Sequence, residues 1–215
     1  MEHLARRALV RRWLAAAVMA WVLGGLVAEA AHGRLSGEVS TLVGGMVGGA
    51  ALGTLQLPIL RLRFWTGLWW VATTTAVLGL LSCGAAYVWL PGGLVVTYMP
   101  MWGHMGLSPA NAYVTWGVAS AIVGGLFGSA IGGLLGVSQW LVIRQAMPGS
   151  GRWVVMNVVG LGLGLAVGAT ALSWLMLALS PGRMTTMLAI LLGGGLRGVV
   201  SGAVTARTLL RLLEI

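Results

Sequence analysis

The chain has 215 residues, 58% hydrophobic and 8% charged, where an ordinary soluble domain carries roughly 25% charge. So little charge cannot cover a water-soluble fold. The thirteen basic residues are all arginine, the acids are Glu2, Glu29, Glu38 and Glu214, and the net charge is +9. These arginines punctuate apolar runs instead of clustering on a polar face, so they read as topology signals and nucleic acid is not an expected partner. Cys83 is the one cysteine, which excludes a disulfide within the chain.

The expected fold class is all-α, an integral membrane bundle of six transmembrane helices forming one domain over 1–215. The apolar runs are long enough to cross roughly 30 Å of hydrocarbon as helices. They lack the ten-residue alternation of a membrane barrel. The first predicted span covers 13–31. Its arginine-rich start and Ala28-Glu29-Ala30 also fit a secretory signal with a cleavage site. The internal repeat described below makes this segment part of the fold instead.

The second span, 38–60, carries Gly45, Gly49 and Gly53 at helical spacing, then Gln56 and Arg61. Small residues along one helix face let backbones approach closely in lipid, so this face is read as packing. The third span, 65–90, begins with Trp65, Trp69 and Trp70 and places Thr74 four residues after Trp70. The loop 91–110 that follows has no charge and contains Met99, Met101, His104 and Met105. Thioether and imidazole suit Cu(I). Methionine and aromatics also suit a loop lying on the membrane, and that is the expected role, with no cofactor.

The fourth span, 111–143, repeats the glycine face as Gly124, Gly128, Gly132 and Gly136 and ends on Gln139 and Arg144. The fifth, 153–180, opens on Trp153 and carries Asn157 four residues later. Gln56 and Gln139 stand about 7.5 Å inside their arginines at 1.5 Å per residue, at nearly the depth of Thr74 and Asn157. A buried amide in lipid must find a partner. The expected pairs are therefore Gln56 with Thr74 and Gln139 with Asn157, the alternative being a polar substrate site. The sixth span, 185–208, holds Arg197 near its middle, flanked by Gly193, Gly194, Gly195 and Gly198. An ionisable residue at that depth is a functional candidate by default, for a ligand, a lipid headgroup or a partner.

With the N-terminus inside, Arg6, Arg7, Arg11, Arg12, Arg61, Arg63, Arg144, Arg152, Arg207 and Arg211 fall on the inner side, and Arg34 and Arg183 on the outer. The positive-inside bias predicts both termini in the cytoplasm of a bacterium with the chain in its inner membrane. Trp13, Trp65, Trp69, Trp70, Trp140 and Trp153 lie beside the inner arginines and are expected to form an interfacial aromatic belt.

A shift of 83 residues aligns 45–80 with 128–163 without a gap. It matches Gly45 with Gly128, Gly49 with Gly132, Gly53 with Gly136, Gln56 with Gln139, Arg61 with Arg144, Trp70 with Trp153 and Gly79 with Gly162. Self-similarity at one fixed offset predicts a duplicated helical hairpin. Val200-Ser201 and Arg207 align with Val137-Ser138 and Arg144, so the sixth and first spans make a third, permuted copy and a pseudo-threefold bundle. Copies of the same orientation imply an axis along the membrane normal.

The run Gly-Val-Ser-Gln-Trp-Leu-Val-Ile-Arg at 136–144, followed by Trp153 and Asn157, resembles a group of uncharacterised bacterial membrane proteins with repeated Gln-Trp-Leu-Val-Leu-Arg hairpins. The resemblance covers the two clear repeats; the first departs from it, reading Gln56-Leu57-Pro58. It implies a fold and no activity. The three histidines fall outside the predicted spans, and there is neither an acid pair nor an H-E-x-x-H, so catalysis is not expected. The expected role is an accessory or scaffold subunit that contacts lipid and other membrane subunits. A small channel or transporter and an envelope copper protein are the competing readings.

Overall fold

The computed structural model describes residues 2–60, 62, 65–82, 109–145, 147, 149–179 and 183–212. Nearly all of them are helical. The helices are α1 (Glu2–His32), α2 (Gly37–Leu60), α3 (described over 65–82), α4 (Pro109–Ile143), α5 (Arg152–Ala178) and α6 (Arg183–Leu212). All except α3 are long and apolar enough, over their described length, to cross a membrane. The surface agrees, since Leu80, Val114, Leu126 and Met184 are exposed while Thr74, Gln139 and Asn157 are buried. In lipid the apolar side chains lose nothing by facing outward, whereas backbone and amide groups must be satisfied inside.

The helices form a ring in chain order. α1 packs on α2, α4 on α5, α5 on α6, and α6 closes back on α1. Gln56 of α2 bonds Trp70 of α3, and Gln139 of α4 bonds Thr74 of α3, which joins the remaining neighbours. The two ends of the ring differ. The start of α1 and the ends of α2, α4 and α6 share one end, here the terminal end; the ends of α1 and α5 are at the far end. In the turn between α4 and α5, Gly149 has φ +79, a left-handed conformation in which a side chain is strained.

Glycine lines most of these contacts, α1 on α2 through Gly24 and Gly48 and α5 on α6 through Gly164 and Gly168 among them, and three seams run alike. A Cβ at Gly53 would lie 2.9 Å from Val71 Cα, and one at Gly49 would lie 2.7 Å from the Thr74 carbonyl; Gly45 abuts Leu78 and Ser82. On α4, a Cβ at Gly136 would lie 2.9 Å from Val154 Cα, while Gly132 and Gly128 abut the carbonyls of Asn157 and Leu161. On α6, Gly202, Gly198 and Gly194 abut Leu14, Val18 and Trp21 of α1 in the same order. Because lipid provides no hydrophobic drive between helices, the dispersion gained by this close approach is what holds them.

Candidate functional site

Two polar regions lie within the ring, and their geometry decides what the chain can do. The first is at the terminal end. Trp13, Trp70 and Trp153 are each the first tryptophan inside a buried helix face, and all are 0–1% exposed. Trp13 meets Trp153 edge-on, ring centroids 5.7 Å apart, and Trp70 lies 5.8 Å from Trp153. Leu60, Ile143 and Leu209 fill the same cluster.

Each indole N–H points to a polar residue on the helix it packs against. Trp70 Nε1 donates to Gln56 Oε1 at 3.2 Å, Trp153 Nε1 to Gln139 Oε1 at 2.9 Å, and Trp13 Nε1 to Thr205 Oγ1 at 2.9 Å. Gln139 Nε2 then donates to Thr74 Oγ1 of the neighbouring hairpin at 2.9 Å. Asn157 Nδ2 donates to its own helix at the Trp153 carbonyl, 2.9 Å away. Above this layer is a small cavity of about 30 Å³ lined by Gln56, Gln139, Asn157, Ser201 and Thr205, among others. It is about the size of one water molecule's share of liquid.

The second region surrounds Arg197, midway along α6 and about 20 Å from either end at 1.5 Å per residue. Gly164 and Gly168 of α5 make room for its stem, since a Cβ at Gly168 would lie 3.4 Å from Arg197 Nε. The guanidinium carbon sits 4.9 Å from the centroid of Trp21, a cation–π contact. Nε is buried with no hydrogen-bond partner. Arg197 lines two cavities, one of about 250 Å³ and one of about 400 Å³. Neither is lined by Gln56, Gln139, Asn157 or Thr74.

Protein-family models, curated proteins and solved structures were compared with the chain, and none matches.

The expected site residues are thus brought into two groups, not one. Gln56, Gln139, Thr74 and Asn157 share the tryptophan layer, but neither expected amide pair forms a bond. The glutamines take the indole N–H groups instead, and Gln139 reaches Thr74 across the hairpin boundary. An indole N–H buried in lipid needs an acceptor as much as an amide does.

The expected tryptophan belt also needs correction. Trp65 and Trp69 are exposed, at 73% and 65%, as a belt requires, whereas Trp13, Trp70 and Trp153 are core. No local spacing marks the difference: Thr74 and Asn157 stand four residues after Trp70 and Trp153, and Thr73 stands four after the exposed Trp69. On α6, Gly194, Gly198 and Gly202 meet α1, and Thr205 accepts the Trp13 indole N–H; on α4, Gly128, Gly132 and Gly136 meet α5, and Gln139 accepts the Trp153 indole N–H. Met99, Met101, His104 and Met105, the copper candidates, lie outside the described residues.

Proposed function

We propose that the chain is a non-enzymatic accessory or scaffold subunit of the bacterial cytoplasmic (inner) membrane. It crosses six times, with both termini in the cytoplasm. Its three hairpins, α2 with α3, α4 with α5, and α6 with α1, are copies of one unit around a pseudo-threefold axis. Support for the copies comes from three glycine seams and the three indole bonds, which recur at a shift of 83 between the first two pairs and, for the third, at 66 on α6 and 140 on α1.

One observation carries the functional reading: the polar residues do not share a conduit. A channel or transporter along the axis needs Arg197 and the amides to line one continuous polar path. Arg197 lines two cavities that none of the amides lines, while the amides line a space of about 30 Å³ above a buried tryptophan cluster. The indole–amide and amide–hydroxyl bonds that tie this layer together favour a rigid element over a gate.

A surface suited to another membrane subunit lies between α3 and α4. Exposed Trp65 and Trp69 line a groove of about 450 Å³ there with Thr66, Thr73, Ser138 and Gln145. Tryptophan is enriched at the centres of protein interfaces.

Purification in a mild detergent followed by mass measurement of the intact particle tests the reading. The expected particle contains a second membrane protein at fixed stoichiometry, lost from Trp69→Ala while the chain itself stays folded. A chain that purifies alone from its native membrane overturns it.

A further inference from the structure

The geometry points to a binding site at Arg197 for the oxyanion head of a membrane amphiphile, a carboxylate or phosphate carried on an apolar chain. This site deepens the accessory-protein reading, on which it rests, by naming what the chain holds.

The head group is set by the guanidinium. Arg197 lies midway through a membrane-crossing helix, where a cation is kept only with a purpose or a partner. Its Nε is buried without a hydrogen bond, and the contact that it does make, with the Trp21 ring, leaves the fork of N–H donors suited to a bidentate oxyanion. Glu29 is the acid that lines the same space. It stands eight residues beyond Trp21 on α1, about 12 Å along the axis, and forms no ion pair with Arg197.

The apolar body is set by the walls. The cavities of about 250 and 400 Å³ share Trp21, Gly25, Ala28, Thr41 and Arg197, and so meet at the cation. The smaller runs between α1, α2 and α3 past Gly24, Gly44 and Gly48, which offer no side chain, to Leu52 and Leu78. Such volumes match small-molecule pockets. A helix about 10–12 Å across takes up roughly 400 Å³ in each 5.4 Å turn, so neither volume holds more than about one turn, and a single chain fits better than a partner's transmembrane helix.

Trp21 and Leu52 line both the Arg197 cavity and the small cavity over the tryptophan layer, so the two adjoin at these side chains. Ala28, Thr41 and Ser82 line the part of the cavity toward the far end, and the mouth is assigned there.

The test uses the purified chain in phosphatidylcholine nanodiscs, with spin-labelled stearate as the probe and electron paramagnetic resonance as the readout. The expected result is one motionally restricted probe per chain. Arg197→Gln should weaken it at least about tenfold, the loss of one charge-assisted contact. Arg197→Gln is expected to fold, because it removes an unpartnered cation. Thr41→Leu, which keeps the charge and narrows the mouth, should weaken binding as well.

Unlabelled stearate should displace the probe; phosphatidylglycerol that displaces it at a lower concentration than stearate assigns the head as a lipid phosphate, and phosphatidylglycerol that needs a higher one assigns it as a carboxylate. A restricted signal that survives both substitutions, or that is absent from the parent, overturns the site. So does a signal that neither competitor displaces. A companion protein that still co-purifies when no probe binds removes the site and leaves the accessory reading standing; a bound probe without any companion does the reverse.

Discussion

Trp153→Ala is expected to lower stability by about 3 kcal/mol, the low end of the range for deleting a large aromatic from a soluble core. The low end applies because the transfer part of that cost is absent when the unfolded helices already sit in lipid. What remains is the cavity, together with two lost ring contacts, to Trp13 and Trp70. The Gln139 carbonyl oxygen also loses its indole donor. Reversible unfolding in mixed detergent micelles measures the change. Trp153→Phe separates the terms, since it keeps most of the packing and gives up the hydrogen bond, worth about 1 kcal/mol in a membrane. A Trp153→Ala protein as stable as the parent would mean that the cluster does not hold the terminal end together.

The second large effect belongs to the glycine seams. A Cβ at Gly132 would run into the Asn157 carbonyl and come within 2.8 Å of Val158 Cα, both of them backbone that no rotamer change can move. Gly132→Ala should therefore push α4 and α5 apart and cost about 2–3 kcal/mol, the upper part of the range for overpacking. Gly49→Ala and Gly198→Ala meet the Thr74 carbonyl at 2.7 Å and Val18 Cα at 2.6 Å, so they should cost about the same. Gly195→Ala is the control. Nothing lies within 4 Å of its added carbon, and its cost should stay within about 0.5 kcal/mol. The same micelle unfolding experiment reads all four. Equal costs at the three seam positions would support the proposal of three copies, and a neutral Gly198→Ala would remove α6 with α1 from the set.

How much of this was legible in the sequence depends on the range of each interaction. The glycine faces could be read because one helix carries the whole signal: Gly45, Gly49 and Gly53 stand four residues apart and need only a close neighbour. The depth of Arg197 was legible from its distance to either end of its span. Its surroundings were not, because Trp21 comes from α1 and Gly164 and Gly168 from α5, and no local pattern brings those helices to α6. The tryptophans misled for a physical reason. An indole next to an arginine satisfies the rule for an interfacial belt whether its ring faces lipid or core. Only the acceptor on another helix separates Trp65 from Trp70. The bond from Trp13 to Thr205 was not legible either, because Thr205 shares a hydrogen-bonding role with Gln139 and not a residue type.

The central claim, that the two polar regions are separate and that the chain is not a conduit, is tested most directly by cysteine accessibility in a Cys83→Ala background. Ser201→Cys is nearly isosteric and lines the one-water cavity, and Thr41→Cys lines the mouth of the Arg197 cavity. With a membrane-impermeant thiol reagent, the account predicts that Thr41→Cys reacts in intact cells, from the outer face alone, and that Ser201→Cys reacts from neither face. Labelling of Ser201→Cys from either face, and above all from both, would contradict it, because a path that opens in turn to each side must expose that residue to water.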